Sequence, residues 1–131
     1  MEHMRKLIFV ASVTLLFAVT STARANVTEE NFTLDTMGDL MALCGVDAND
    51  PNAIAAIHFC HGYFTGLVHF HNVMGRALEG NIYCMKDDER PTRDQAIAML
   101  VAWSRAHPEN NSLEAIDGVL KWAAETYPCS E

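Results

Sequence analysis

The sequence predicts an all-α fold: a small disulfide-crosslinked bundle of four or five helices. Three observations lead to this prediction. Apolar residues recur at helical spacing after residue 35, and no segment alternates with the period of two that a β-strand requires. Capping residues and Gly or Pro stops bracket four such segments. Four cysteines are spread along the chain, enough for two crosslinks: Cys44, Cys60, Cys84 and Cys129.

The first 25 residues have the pattern of a cleavable signal peptide. Two basic residues precede an apolar run over residues 7–19, and the small-residue pattern Ala23-Arg24-Ala25 follows it. We expect cleavage after Ala25, which leaves residues 26–131 as a single helical domain. The run is shorter than the roughly 20 residues of a membrane-spanning helix, so we expect no membrane anchor. A bacterial periplasm fits this compact signal better than the alternative, a eukaryotic secretory route.

Export determines how the cysteines are interpreted. An exported chain meets an oxidising compartment, so an even number of cysteines in a short domain predicts two disulfides rather than a metal or catalytic cluster. No free thiol would then remain as a nucleophile, and the serines lack a recognisable nucleophile context. We therefore predict no enzymatic activity and no cofactor.

The charge of the chain limits its partners. The formal charge of −8 becomes −10 once a leader with a net charge of +2 is removed. Nucleic acid and anionic membranes attract basic patches, so both are unexpected partners. The acidic balance favours a cationic protein partner or serves solubility alone.

The first helix is predicted to begin at Thr36 and to end at Gly45. Thr36 and Asp39 form a capping box, and Gly45 is a common helix stop. One stripe of this helix carries Leu40, Leu43 and Cys44. The polar residues 26–33 predict a loose lead-in.

The second helix is predicted to be central. Asp50-Pro51 favours its start, because Asp caps free N–H groups and Pro suits the first helical turn. Gly75 or Gly80 should end it. Its apolar residues predict a largely buried surface: Ile54, Ile57, Phe64, Leu67, Val68 and Val73.

Two further helices follow. Thr92 and Gln95 form a capping box for the third, which His107-Pro108 ends. Its inward side carries Ile97, Leu100, Val101 and Ser104. Ser112 is predicted to cap the fourth helix, which keeps a helical apolar period: Leu113, Ile116, Val119, Leu120, Ala123, Ala124 and Tyr127.

Four cysteines allow three disulfide connectivities. The short link over residues 108–111 predicts that the last two helices form an antiparallel hairpin. Such a hairpin brings Cys129, just past its end, near Cys84, just before its start. This geometry favours Cys84 with Cys129, and it leaves Cys44 with Cys60.

Two glycines lie on nearly the same face of the second helix. Gly62 and Gly66 each cost about 0.8–1 kcal/mol relative to alanine in a helix interior. We expect helix close-packing, the approach of another backbone beside Cys60, as the compensation. A ligand contact or a local kink is the alternative.

Four histidines in the same helix are candidates for chemistry. His58, His61 and His69 lie within about an 80° arc of an ideal helix, while His71 points elsewhere. His58 and His61 could share a Zn²⁺, but such a site needs a third or fourth ligand. A pH-sensing role for His58, His61 and His69 is a second interpretation, and ordinary packed or exposed histidines are the third.

Several short motifs occur in a fixed order between residues 36 and 129. They are Leu40-x-x-Leu43-Cys44, Phe59-Cys60-x-Gly62-Tyr63-x-x-Gly66, Cys84, Gln95, Val101, His107-Pro108 and Tyr127-Pro128-Cys129. Their order and spacing resemble the Rap/Tai immunity-protein family of bacterial type VI secretion. The matching positions are those expected to hold the scaffold, so no toxin-contacting residue can be transferred.

The resemblance implies a function as well as a fold. It implies an exported, disulfide-containing, all-helical immunity protein of the periplasm, which binds and inhibits a peptidoglycan amidase effector. It also implies a homodimer. The histidines are not part of the family pattern, and they keep two alternatives open: an envelope acid- or stress-responsive chaperone, and a metal-binding helical protein.

Overall fold

The computed structural model describes residues 26–129, which contain four α-helices and no β-strand. The helices are α1 (Met37–Cys44), α2 (Ala53–Leu78), α3 (Arg93–Ala106) and α4 (Ala115–Thr126), and 3-10 helices cover Glu29–Thr33, Asp87–Glu89 and Pro108–Ser112. The predicted all-α, disulfide-crosslinked bundle is confirmed. The predicted signal peptide, residues 1–25, lies outside the described residues.

Helix α1 is short but occupies the centre of the bundle. Its Leu40 and Leu43 side chains are fully buried, and α1 contacts each of the other three α-helices. The predicted capping box is present: the Thr36 hydroxyl accepts from the Asp39 N–H at 3.2 Å, and the Asp39 carboxylate accepts from the Thr36 N–H at 2.9 Å. Burial raises the pKa of Asp39, but hydrogen bonds from Asn31 and Thr36 outweigh it and leave this pKa below its usual value.

Helix α2 has 26 residues and is by far the longest, at about 39 Å. One side packs on the bundle through a buried stripe of Ala53, Ala56, Cys60, Phe64 and His71. The prediction that Ile54, Ile57 and Val73 are buried is wrong, since they are 76%, 41% and 51% exposed. The apolar surface of α2 is wider than the one side that the other elements cover. The part of it that lies outside this side is exposed to solvent.

Helix α3 begins as predicted at a Thr92–Gln95 capping box. The prediction that Ser112 caps α4 is wrong. Ser112 ends a 3-10 helix, and α4 starts three residues later, after Glu114. The backbone N–H of Met37 donates to the Leu113 carbonyl at 2.8 Å, which ties the start of α1 to this connection.

The lead-in before α1 is ordered, contrary to the prediction of a loose segment. The Val27 side chain is buried in a small cluster with Leu43 and Ala56. The Val27 N–H donates to the Asp50 carboxylate at 2.8 Å, and the Asn52 amide donates to the Val27 carbonyl at 2.9 Å. These long-range hydrogen bonds hold the segment against the start of α2.

Two disulfides crosslink the described residues. Cys44 pairs with Cys60 and joins α1 to α2, and Cys84 pairs with Cys129 and joins the loop before α3 to the end of the described chain. The hairpin geometry had favoured this same connectivity. Beside the second disulfide, the Cys84 N–H donates to the Tyr127 carbonyl at 2.8 Å.

Within residues 26–129, none of the helices combines the length and the hydropathy that crossing a bilayer requires.

Candidate protein-binding surfaces

Gly62 and Gly66 are exposed, and the prediction of close packing at these glycines is wrong for a single chain. A Cβ atom added at either position would meet no heavy atom within 4 Å outside its own stretch of helix. The other elements approach α2 from the opposite side, where Cys60 and Phe64 are buried. The backbone at the two glycines is therefore open to solvent.

The glycine that does allow close packing is Gly118 in α4. A Cβ atom at this position would lie 2.8 Å from both Cγ and Sδ of Met37, which is itself fully buried in α1. Sequence analysis missed this residue. Its position one residue before Val119, inside the apolar stripe of α4, is the signal that could have indicated it.

Over residues 54–73, the exposed side of α2 forms an uncharged face, and the exposed Arg76 lies on the same side of the helix further along. We define this face by eight exposed residues: Ile54, Ala55, His58, Gly62, Gly66, His69, Phe70 and Val73. They lie within about 160° of the helix circumference. Phe70 is 63% exposed, so large apolar groups stand in solvent on both sides of the glycine pair. Exposed apolar patches of this kind are typical of protein interaction sites.

The acidic residues lie elsewhere. In the part of the chain that the structure describes, α2 carries no Asp or Glu. The acidic residues occupy the remaining elements: Glu29, Glu30, Asp35, Asp39, Asp47, Asp50, Glu79, Asp87, Asp88, Glu89, Asp94, Glu109, Glu114, Asp117 and Glu125. A few form surface ion pairs, such as Arg90 with Asp87 at 3.0 Å and Lys121 with Glu125 at 2.9 Å. The molecule thus presents an acidic surface interrupted by one uncharged helical face.

The structure separates the histidines of α2. His58 and His69 are exposed on the uncharged face, while His61 Nε2 lies 3.3 Å from the Asp94 carboxylate at the start of α3. Among residues 26–129, no three His, Cys, Asp or Glu side chains are arranged to hold a metal ion. The observed geometry offers no support for a zinc site at His58 and His61.

His71 is the one histidine of α2 in the core. It is 9% exposed, its ring stacks on Tyr83 with centroids 3.8 Å apart, and its Nε2 atom is buried without a hydrogen-bond partner. Burial lowers the pKa of His71, and the Asn72 side chain offsets this in part. The environment therefore favours the neutral ring.

We expect His71 to make the folded state less stable in mild acid. Its pKa is lower in the folded than in the unfolded chain, so its contribution is fully present above a pH of about 6.5 and is lost as the pH falls. His71→Phe keeps a ring on Tyr83 but cannot titrate. Urea unfolding from pH 7 to pH 5 should show a smaller loss of stability for this variant than for the native chain. An equal loss of stability in His71→Phe and in the native chain would contradict this assignment. His69→Gln, which removes an exposed histidine of the same helix, is the control.

Two of the cavities in the described residues border α1 and α2. An apolar groove of about 160 Å³ lies between α2 and α4, and its walls include Phe70, His71, Leu78, Ile82 and Leu120. A more polar cavity of about 320 Å³ lies between α1 and α3. Three polar residues of this second cavity already serve the fold, since the Ser104 hydroxyl donates to Asn111 at 2.7 Å and Asp50 accepts from Val27. The structure gives neither cavity a catalytic arrangement.

Comparison with known proteins gives one match. The family model described as Rap1a immunity proteins matches residues 36–129, from the cap of α1 to the last disulfide. Neither the curated proteins nor the solved structures gave a match.

Proposed function

This chain belongs to the Rap1a immunity protein family, and on that premise we propose that it is a periplasmic immunity protein that binds and inhibits a peptidoglycan amidase effector of type VI secretion. The observation that carries the proposal is the extent of the family match. It covers all four α-helices and both disulfides. Family membership supports an immunity protein directed against a secreted effector, and the amidase target is the more specific part of our proposal.

The disulfides support the proposed compartment. All four cysteines of the chain are paired, which suits an oxidising environment such as the periplasm. We propose that residues 1–25 are a signal peptide that is removed after Ala25, and that residues 26–131 act as one domain. Immunity proteins of this family are generally not enzymes, and we propose that this chain acts by binding alone.

The charge distribution supports a partner with a basic surface. The mature chain would carry a formal charge of −10, and its acidic residues lie in or beside the other elements, whereas α2 itself contains none. Opposite charges across an interface accelerate association and favour the correct partner. Binding should therefore weaken as salt is added, because most of these carboxylates are exposed and salt screens their charge.

We also propose that the chain forms a homodimer. The support within the molecule is the uncharged face of α2, which is the part of the described surface where two acidic copies could meet with least repulsion.

A capture experiment tests the proposed function. The oxidised mature protein serves as bait in envelope extract at neutral pH and, in a parallel experiment, near pH 5. A reduced, alkylated sample serves as the unfolded control. We expect stoichiometric capture of one cell-wall hydrolase by the oxidised protein alone. Capture of no hydrolase from cells that carry type VI effectors would contradict the proposal, and capture of many unfolded proteins near pH 5 would instead support the acid chaperone.

A further inference from the structure

A cationic pocket lies between α2 and the segment that leads into α3. Its volume is about 240 Å³, and its lining includes three exposed basic residues: His69, Arg90 and Arg93. Nine Lys and Arg residues less the three of the predicted leader leave six in the mature chain, and two of these six border this one cavity. None of the lining residues is acidic. The pocket therefore differs in charge from the acidic surface around it.

The local structure places the two arginines close together. Arg90 follows the 3-10 helix Asp87–Glu89, and Arg93 is the first residue of α3, whose start is fixed by its capping box. Within residues 26–129, Arg93 forms no ion pair and Arg90 pairs only with Asp87, whose side chain is 94% exposed. An ion pair as exposed as this one contributes little stability, so both guanidinium groups can turn to a ligand.

The floor of the pocket is apolar. Burial raises the pKa of Tyr83 in a smaller cavity directly behind it, and the positive charge of Arg90 opposes this rise, so the charge acts well inside the pocket. A ligand would meet hydrocarbon at its inner end and guanidinium groups at its outer end. Five buried or half-buried residues line both cavities: Phe64, Val68, Met85, Pro91 and Ala96.

From this arrangement we propose that the pocket binds an acidic residue of a protein partner together with an apolar side chain next to it. Arginine has a planar fork of donors that matches a carboxylate, and Arg90 and Arg93 supply two such forks. The apolar floor takes the hydrocarbon of the neighbouring side chain, which an inorganic anion lacks. The volume is below the roughly 300–1,000 Å³ of pockets for drug-sized molecules, so it suits one or two side chains.

Such an anchor would orient the immunity contact. Attraction between an acidic surface and a basic one is not tied to a single orientation, whereas an acidic side chain seated in the cationic pocket fixes how the partner lies. Identifying this partner as the effector rests on the proposed function, but the chemistry of the pocket does not. The two can therefore be tested separately.

A matched pair of dipeptides tests the pocket without the effector. N-acetyl-Phe-Glu-amide and N-acetyl-Phe-Gln-amide have the same shape but differ in charge, and each is titrated to about 20 mM into the ¹⁵N-labelled oxidised mature chain. We expect the Glu peptide to shift the amide signals of Thr65, His69 and Ala96 with a dissociation constant of about 1 mM. The Gln peptide should bind at least about fivefold more weakly, because it cannot form charge-assisted hydrogen bonds with the arginines.

Variants of the chain complete this titration. Arg90→Gln with Arg93→Gln should weaken binding of the Glu peptide at least about fivefold. Arg76→Gln, which removes an exposed arginine outside the pocket, should leave it unchanged. Circular dichroism checks that each variant folds. Equal binding of the two peptides, no shift at the three amides, or undiminished binding by the Arg90 and Arg93 variant would overturn the proposal.

The effector obtained in the capture experiment tests the role of the pocket in immunity. Arg90→Glu with Arg93→Glu should weaken its binding at least about tenfold, whereas Arg76→Glu should not weaken it. Attraction of a basic partner by net charge alone predicts the opposite for the first variant, since the substitutions make the chain more acidic. Undiminished binding by that variant would overturn the pocket's role and leave the immunity function standing. Failure to capture any effector would contradict the proposed function, while the dipeptide titration still decides what the pocket binds.

Discussion

Reduction of the two disulfides is expected to unfold most of the protein at moderate temperature. In the chain-entropy model, the crosslink over 16 residues contributes about 3 kcal/mol and the one over 45 residues about 4 kcal/mol. Their sum is comparable to the whole free energy of unfolding of a small domain, which is about 5–15 kcal/mol. The Cys44–Cys60 bridge is additionally buried at Cys60 and connects α1 to α2, so its loss also loosens the central contact of the bundle.

Thermal unfolding followed at 222 nm measures this effect, with and without a reducing agent and with the free thiols titrated in each sample. The variants Cys44→Ala with Cys60→Ala, and Cys84→Ala with Cys129→Ala, separate the two bridges. We expect each pair to lower the midpoint strongly and the combination to lower it most. An unchanged midpoint in a sample shown to be fully reduced would refute a structural role for the bridges.

The same substitution, glycine to alanine, is expected to have opposite effects in α4 and in α2. At Gly118 the added methyl group would overlap Met37 at 2.8 Å, and Met37 is fully buried, so overpacking should destabilise the fold by about 1–3 kcal/mol despite the better helix propensity. At Gly62 the methyl group would enter open space, and alanine should stabilise the monomer by about 0.8–1 kcal/mol.

Urea unfolding of Gly118→Ala and Gly62→Ala at low micromolar concentration compares the two sites while keeping association small. The two midpoints should move in opposite directions from that of the native chain. If Gly118→Ala were as stable as the native protein, Met37 would have room to move aside. The close α1–α4 contact would then not depend on this glycine.

Sequence motifs that span three or four residues, such as capping boxes, predicted the starts of α1 and α3 correctly. The capping boxes at Thr36 and Thr92 lie where the sequence predicted them, because a hydroxyl and a carboxylate or amide three residues later satisfy each other locally. Ser112 shows the limit of this argument. Its hydroxyl lies 3.5 Å from the Glu109 carbonyl, as part of a 3-10 turn, and α4 begins without a side-chain cap.

Burial depends on distant elements, and it was predicted less well. The sequence shows that α2 is apolar on most sides, but only the packed structure shows which side the bundle covers. Ile54 and Val73 are exposed for this reason, and His71, which the helical wheel separated from the other histidines, stacks on Tyr83 in the core. The roles of Gly62 and Gly118 likewise depend on what stands opposite each glycine.

The family could be predicted from the sequence because its motifs hold the scaffold. Cys44, Cys60, Cys84 and Cys129 fix the crosslinks, and Pro108 and Pro128 mark ends of helical segments. Contacts with an effector follow a different rule, since they depend on a surface that matches one partner. The sequence therefore shows how many charged residues the chain has and that α2 lacks acidic ones. Only the fold shows where these residues lie on the surface.

The most direct test of the immunity function is a titration of enzyme activity. The hydrolase captured from envelope extract is purified, and its release of peptides from isolated peptidoglycan is measured against increasing amounts of the oxidised mature protein. We expect amidase activity to fall linearly and to reach zero at a fixed whole-number ratio of the two chains, and we expect the reduced, alkylated protein to have no effect. Full amidase activity in the presence of excess folded protein would contradict the proposed immunity function.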